Sequence, residues 1–385
     1  MDMRCIVILS YLLFVIMACD KPTPETPVVP FEKTYGGSLA DYTTGAVALN
    51  EHIYMVGTTK SLQASSGGLA LTKIDASGEV LFERSYGGTV LDLGTNICTT
   101  SDGNLLLLGA TSLPTASGTQ VDIFILKVDE NGDTLWTNTY GDANQFDIAE
   151  GVLETDDGGV LILGSAYNGS TNDFKLLRLD AQGNLLWEKI YTSPYDDRGI
   201  NIERAGNDQY ILLGRRQDGD DDFYAMKVDG QGSLIWENTY GTPQYEEAHS
   251  ISKTSDGNFL LCGHSSGVDP LHNLYFTKIT TDGVALYEKD YGGAVHDGGT
   301  SGIELSNGNL LLVGETDSYG NGSRRAFFLE TNAAGELVEE LSFGGDLADK
   351  FSAIVEMGDA YYLIGESTSF SASGAPDMYV VKRAK

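Results

Sequence analysis

Basic residues are scarce in this chain of 385 residues: 24 Lys and Arg stand against 55 Asp and Glu, for a formal charge of −31. A surface that acidic repels phosphate backbones, which excludes nucleic acid as a partner and leaves cations, basic proteins and neutral sugars; its plainest effect is solubility. Cysteine is nearly absent. Of the four, Cys5 and Cys19 lie at the N-terminal end, and Cys98 and Cys262 fall far apart. The last two are expected as buried thiols, with no disulfide framework and no cysteine metal cluster. Only nine prolines occur, against 47 glycines, a balance that suits many short strands joined by tight turns. No helical period recurs anywhere. Signatures such as H-E-x-x-H or a Walker loop are missing. Histidine is down to five: His52, His249, His264, His272 and His296. His249 and His296 lie near expected inner strands and are the candidates for a general base, with polar channel lining as the plainer role.

The N-terminus reads as an address. Arg4 gives a weakly positive start. Ile6 to Met17 is apolar but shorter than the roughly 20 residues a membrane span needs. It ends Ala18-Cys19-Asp20, which resembles the lipobox of bacterial lipoproteins. The resemblance implies that 1–18 is a signal peptide and that Cys19 is lipidated as the mature N-terminus. Residues 19–30 carry Pro22, Pro24, Pro27 and Pro30. Such a segment favours an extended tether reaching roughly 30 Å at about 3.1 Å per residue. The expected location is the bacterial outer membrane, lipid-anchored and surface-exposed, with a periplasm-facing orientation as the alternative.

Internal repetition organises the rest, residues 31–385. An aromatic, usually followed by Gly, recurs at Tyr35, Tyr86, Tyr140, Tyr191, Tyr240, Tyr291 and Phe343, with spacings of 51, 54, 51, 49, 51 and 52. An acid follows six or seven residues later: Asp41, Asp92, Asp147, Asp197, Glu246, Asp297 and Asp349. Then come a short mixed strand, a polar turn such as Ser101-Asp102-Gly103, and an apolar run ending in Gly, as in Leu105 to Gly109. A variable loop, a third strand, a short turn and a fourth strand complete the unit. Four short strands in units of about 50 residues indicate propeller blades. The second strands are apolar at successive positions, so both their faces must be covered by neighbouring blades. The last unit stops after three strands, and Phe31–Tyr35 is an orphan fourth strand. The expected fold is therefore an all-β, seven-bladed propeller, closed by pairing Phe31–Tyr35 with Met378–Lys382.

Trp136 with Tyr140, the turn acids Asp156 and Asp157 before Gly158-Gly159, and Lys127-Val128-Asp129 followed by Gly132 recur in phase. With them the chain resembles the bacterial seven-bladed β-propeller repeat lipoproteins. Leu179 to Trp187 also resembles the docking motif of quinoprotein propellers and of the outer-membrane assembly propeller BamB, where it staples the blade. The resemblance implies fold far more than function. The leading expectation is a monomeric binding module for glycan or protein at the cell envelope. A BamB-like assembly scaffold and a glycan lyase or hydrolase working on the loop face are the alternatives.

Candidate site residues follow from contrast between blades. The seven repeated acids are read as structural caps of tight loops, with a cation ring as the alternative. A second set, Lys73, Lys127, Arg178, Lys227, Lys278 and Lys382, with Glu330 breaking it, is read as inter-blade ion pairs. Asp218, Asp220 and Asp222 have the spacing of a calcium loop, but no downstream Glu completes it; calcium is the one cofactor left open. The loops between second and third strands differ most. They carry Tyr167, Asp218, His264, His272 and Tyr319, the candidates for ligand contact.

Overall fold

A computed structural model describes residues 30–62, 67–87, 91–115, 118–141, 147–266, 272–319 and 322–385. Residues 1–29, which hold the expected leader, Cys19 and most of the expected tether, lie outside the described residues. The described chain forms seven sheets of four antiparallel strands. They are blades one to seven, spanning 41–86, 92–140, 148–191, 196–240, 246–291, 297–343 and 349–384, the last completed by 31–35. In each blade the first strand in sequence lies innermost and the fourth outermost.

The closing strand β1 (Phe31–Tyr35) pairs with the last strand, Asp377–Ala384, in the expected register, Phe31 opposite Lys382 and Tyr35 opposite Met378. Closure covers the edge of the last strand and gives blade seven the same four strands as the others.

Apolar residues at consecutive positions of the second strands bury both faces. Ile53, Tyr54, Met55 and Val56 of blade one are all inaccessible. Their side chains alternate between neighbours, as strand geometry requires. Ile53 and Met55 join the cluster with Tyr362, Ile364 and Val380 of blade seven, whereas Tyr54 and Val56 join the cluster with Leu105 and Leu107 of blade two. The core is thus a set of wedges between blades. Each is on the scale where a truncated Leu or Ile costs about 2–5 kcal/mol.

The outer Tyr residues staple one blade to the next. Tyr35, Tyr86, Tyr191, Tyr240 and Tyr291 donate to the carbonyls of Gly78, Gly132, Gly232, Gly283 and Gly335 at 2.9, 2.6, 2.8, 2.8 and 2.7 Å, and Tyr140 donates likewise to Gly183. Each acceptor sits in the third-to-fourth-strand turn of the following blade, at a left-handed φ of 70° to 79° that suits glycine. Phe343 is the exception, and the reason is topological. The turn it would reach belongs to blade seven, where the chain's two ends meet and no such turn exists.

One feature of the inner strands was not visible beforehand. Every one carries a β-bulge, a register shift that leaves one residue unpaired. The extra residues are Thr44, Thr95, Glu150, Ile200, His249, Thr300 and Ser352. Opposite each bulge stands the Gly that ends the apolar run. A Cβ at Gly57, Gly109 or Gly214 would run into the carbonyl oxygen of Tyr42, Leu93 or Arg198. The recurrent glycine is there to let the bulged backbone approach. A second bulge in the outer strands leaves Leu81, Leu135, Leu186, Ile235, Leu286 and Val338 exposed on the rim.

Candidate functional site

The repeated acids open the inner strands or sit just before them. None of the seven is more than 2% exposed. Asp41 accepts hydrogen bonds from Gly37 N at 2.9 Å, Ser61 Oγ at 2.7 Å and Thr59 Oγ1 at 2.5 Å. Asp297 accepts from Gly293 N and Ser318 Oγ, both at 2.6 Å, and from Thr316. Asp349 repeats the arrangement with Gly345, Ser367 and Ser369. Glu246 accepts from Thr242, Asp147 pairs with Lys175 at 2.9 Å, and Asp197 takes Arg216 at 2.9 and 2.8 Å. Asp41, Asp197, Asp297 and Asp349 thereby tie a blade link to the end of the second strand, whereas Asp147 is held by a third-strand lysine and Glu246 closes its own link. Asp92 is equally buried, and a Cβ at Gly87 of its link would collide with its carboxyl.

Of the basic set, only Lys278 makes an expected inter-blade ion pair among the described residues, at 3.8 Å from Glu304 of blade six. Lys127, Arg178 and Lys278 pair within their own blades, with the turn acids Asp102, Asp157 and Asp256 at 2.7, 2.5 and 2.9 Å. Lys73, Lys227 and Lys382 instead cap backbone carbonyls of the next blade, at Glu130, Thr281 and Ala76. The three cations that bind within their own blades face the turns Ser101-Asp102-Gly103, Asp156-Asp157-Gly158 and Ser255-Asp256-Gly257, whereas the tighter two-residue turns of blades four and seven, with Asp208 and Asp359, do not hold Lys227 and Lys382. In blade six the corresponding turn carries Asn307, and Glu330 accepts from Asn309 at 2.6 Å.

The seven bulge residues line a central cavity of about 750 Å³. Thr44, Thr95 and Thr300 turn their hydroxyls to the next blade, donating to Gly94, Ala149 and Phe351 carbonyls at 3.1, 2.9 and 2.7 Å. Three consecutive blades break this ring of hydroxyls: Glu150, Ile200 and His249 occupy the same position in blades three, four and five. All three also line a second cavity of about 720 Å³, together with Tyr167, Asn172, Arg198, Arg215 and Glu247. The channel and a cleft on the loop face therefore meet where the repeat departs from its pattern.

The cleft's polar groups are held from behind. Arg215 pairs with Asp221 at 3.0 Å and lies 3.7 Å from Asp196, which also binds Arg198 at 3.1 Å and the Asn172 amide at 2.7 Å. Tyr245 donates to Glu247 at 2.5 Å and lies 3.5 Å from Arg215. Burial works to raise the Glu247 pKa, but the Tyr245 hydrogen bond and the nearby imidazoles and Arg215 outweigh it and hold the carboxyl down. Burial and the Glu247 charge push the Glu150 carboxyl up, towards its neutral form.

Four of the five histidines converge beside this cleft. His249 Nε2 lies 3.1 Å from His264 Nδ1, and His264 Nε2 lies 3.7 Å from a Glu247 oxygen. The His264 and His272 rings meet edge to face at 4.9 Å, and His272 and His296 at 5.1 Å. His296 closes the series on Glu315 at 3.0 Å, which also holds Arg324. Burial pulls the His249, His264 and His272 pKa values down, so these rings are neutral at neutral pH.

The residues singled out from the sequence thus separate into groups. Tyr167, 51% exposed, stands over the cleft. His264 and His272 sit in the histidine cluster. Tyr319 does not project as a platform; its ring stacks on Phe327 of its own blade at 5.4 Å. Asp218 and Asp220 face each other across a tight hairpin turn at Gly219, and Asp222 pairs in register with Arg216. A hairpin spreads these carboxylates along a ribbon, and among the described residues no three His, Cys, Asp or Glu side chains are placed to share a metal ion. Gly263-His264-Ser265-Ser266-Gly267 has the G-x-S-x-G spacing of a nucleophile elbow. Ser265, however, lies within a strand, buried, and donates to Asp290 at 3.0 Å. Arg198, Arg215, Tyr245, Glu247 and Glu150 were not anticipated.

Fold and repeat define the class: this is a β-propeller repeat protein. A family model described as "Domain of unknown function (DUF5122) beta-propeller" matches residues 155–185, a stretch within blade three. No curated protein sequence matches the chain. Puromycin hydrolase is similar in structure with a TM-score of 0.60 at 13% identity, over 90% of this chain and 52% of that one, so the chain spans about half its length. A polysaccharide lyase, ulvan lyase, gives a TM-score of 0.58 at 10% identity, over 91% of this chain and 98% of the other. A protein of unknown function from Dyadobacter fermentans gives 0.55 at 11% identity, over 92% and 98%. At such identities the likeness shows the fold alone.

Proposed function

We propose that this chain is an exported, lipid-anchored propeller that binds glycan in the loop-face cleft of blades three to five. The observation that carries the reading is the coincidence of three features at one place. The bulge ring changes character there, the loop-face cleft opens into the channel there, and exposed Tyr167 overhangs a floor of pre-paired polar groups. Planar groups already fixed by Asp196 and Asp221 lose little freedom on binding. An aromatic face beside amide, guanidinium and carboxyl groups suits a sugar's apolar face and hydroxyl rim. Ulvan lyase, with a similar fold, acts on a polysaccharide, which supports a glycan over a protein ligand. The small residue before Cys19 and the proline-rich stretch after it support an anchor at the bacterial outer membrane.

The test is a glycan array probed with the full chain in detergent. Tyr167→Ala and Asn172→Ala are each expected to weaken binding about tenfold, a loss of about 1.4 kcal/mol, with an unchanged melt. Asn131→Ala, in a turn away from the cleft, is expected to bind normally. A silent array, or equal weakening by Asn131→Ala, overturns the reading.

A further inference from the structure

Resting on that glycan reading, we propose that the cleft also cleaves its ligand: His249 is the general base for β-elimination at a uronate unit, positioned by Glu247 through His264.

The geometry supplies a directed chain of groups ending in the cavity. Glu247 faces Nε2 of His264, and Nδ1 of His264 faces Nε2 of His249 at 3.1 Å. Two nitrogens that close share one proton. The carboxylate charge, 3.7 Å from Nε2, favours the His264 proton on that nitrogen, so Nδ1 of His264 accepts and Nε2 of His249 donates. That leaves Nδ1 of His249 with its lone pair, on a residue that lines both cavities. A third residue fixing the tautomer of a base, itself oriented by a carboxylate, is the arrangement that proton transfer needs. The resting rings are neutral, so the lone pair is available. Once His249 takes a proton, the charges of Glu247 and of Glu315 from blade six stabilise the imidazolium, against Lys350 from blade seven. Glu150 of blade three faces the same space.

The substrate class follows from the charges that flank the base. The serine with nucleophile-elbow spacing is out of play, since Ser265 is engaged with Asp290. A proton on sugar carbon becomes removable when a carboxylate sits beside it and its charge is neutralised. Arg198 and Arg215 line the same cleft, held from behind by Asp196 and Asp221 with further N–H groups to offer. The two guanidiniums are the cations of the cleft, and their N–H groups not taken by Asp196 and Asp221 are the ones that would meet a uronate carboxylate.

The step balances without a co-reactant. The C5–H bond breaks and its proton goes to His249 Nδ1. The freed electron pair forms the C4=C5 double bond. The C4–O bond breaks, and the departing oxygen takes the proton back from His249. One base serves both ends when the C5–H and C4–O bonds lie on one face of the ring.

The experiment incubates the full chain with polymannuronate, a glucuronate-containing polysaccharide and, as a control whose C5–H and C4–O bonds lie on opposite faces, polygalacturonate, and follows ultraviolet absorbance of the unsaturated uronate. Wild type is expected to generate it from at least one of the first two. His249→Thr restores the hydroxyl that Thr44, Thr95 and Thr300 supply at the same position, so it is expected to fold and to bind glycan. Its rate is expected to fall at least about 100-fold. Activity is expected to fade as pH drops and His249 is protonated. Glu247→Gln removes the charge that favours the imidazolium, so the acid limb moves to lower pH while the plateau falls. Polyuronate binding without unsaturated product overturns the inference and leaves the glycan reading standing. So does wild-type activity in His249→Thr. Binding of no glycan at all overturns both.

Discussion

Phe343 tests the stapling of blades directly, because topology says that a tyrosine is useless there. Tyr240 donates to the Gly283 carbonyl at 2.8 Å, but Asn238 Nδ2 also reaches that oxygen, at 3.2 Å. Removing the hydroxyl in Tyr240→Phe therefore deletes one hydrogen bond without stranding its acceptor, for a cost of about 1 kcal/mol. Tyr291 donates to Gly335 at 2.7 Å, and no other donor among the described residues is seen at that carbonyl, on a buried glycine. Tyr291→Phe leaves the oxygen unsatisfied, and the cost rises to roughly 2 kcal/mol. Phe343→Tyr places a hydroxyl where no turn waits and is expected to change stability by less than about 0.5 kcal/mol. Equilibrium urea unfolding read by tryptophan fluorescence resolves these values. At a slope of roughly 3 kcal/mol/M the midpoints move down by about 0.3 M, down by about 0.7 M and not at all. Equal losses in the two Phe variants, or stabilisation by Phe343→Tyr, would refute the account of the staples.

Deleting residues 31–35 removes five paired positions and the buried Tyr35, worth roughly 7 kcal/mol together, about the whole stability of an ordinary domain; an unchanged thermal melt would end the closure argument. Acid should weaken the propeller through its first turns. Burial works to raise the Asp102 pKa, but hydrogen bonds from Lys127, Thr100 and Asn104 win and hold it at about 2. A folded value below the unfolded one gives stability that is complete above about pH 4 and is lost as pH falls towards 2. Asp102→Asn should flatten that part of the pH–stability curve; an identical curve would show that the pair contributes nothing. Cys19→Ala should move the protein from the detergent phase to the aqueous phase, and continued partitioning into detergent would remove the lipid anchor from the proposal.

Fold was legible because its signals are local and repeated. The aromatic-Gly spacing, the apolar second strands and the three-stranded last unit led to the blade count and to the register of Phe31 with Lys382. The site was less legible, because it is defined by departure from a pattern at a position that strand alternation does not mark. Yet the position can be written down afterwards. Thr44, Thr95, Glu150, Ile200, His249, Thr300 and Ser352 each fall three residues after the repeated acid. Aligning the repeats on those acids would have isolated Glu150, Ile200 and His249. Convergence of His264, His272 and His296 on His249 could not be read that way, since it depends on how the ends of the second and third strands of blade five meet the link into blade six. The inter-blade reading of Lys127 and Arg178 failed for a related reason: the turn acids that hold them lie next door across a hairpin, and even Lys278, which does reach Glu304 of blade six at 3.8 Å, is nearer its own Asp256 at 2.9 Å.

Joining the first strand to the last also fixes an order of events. Glu32 and its partner Tyr379 are 347 residues apart, and bringing such ends together costs about 3 kcal/mol more than closing a ten-residue hairpin. Blades one to six are built from consecutive strands and can form as the chain appears. Blade seven cannot, because its outer strand is made first and its three inner strands last. Phe31–Tyr35 must wait unpaired through the synthesis of nearly everything else. Truncation of this chain should therefore be all-or-none: a stop codon before Met378 costs more than the final blade, because it removes the only strand against which the beginning of the propeller can close.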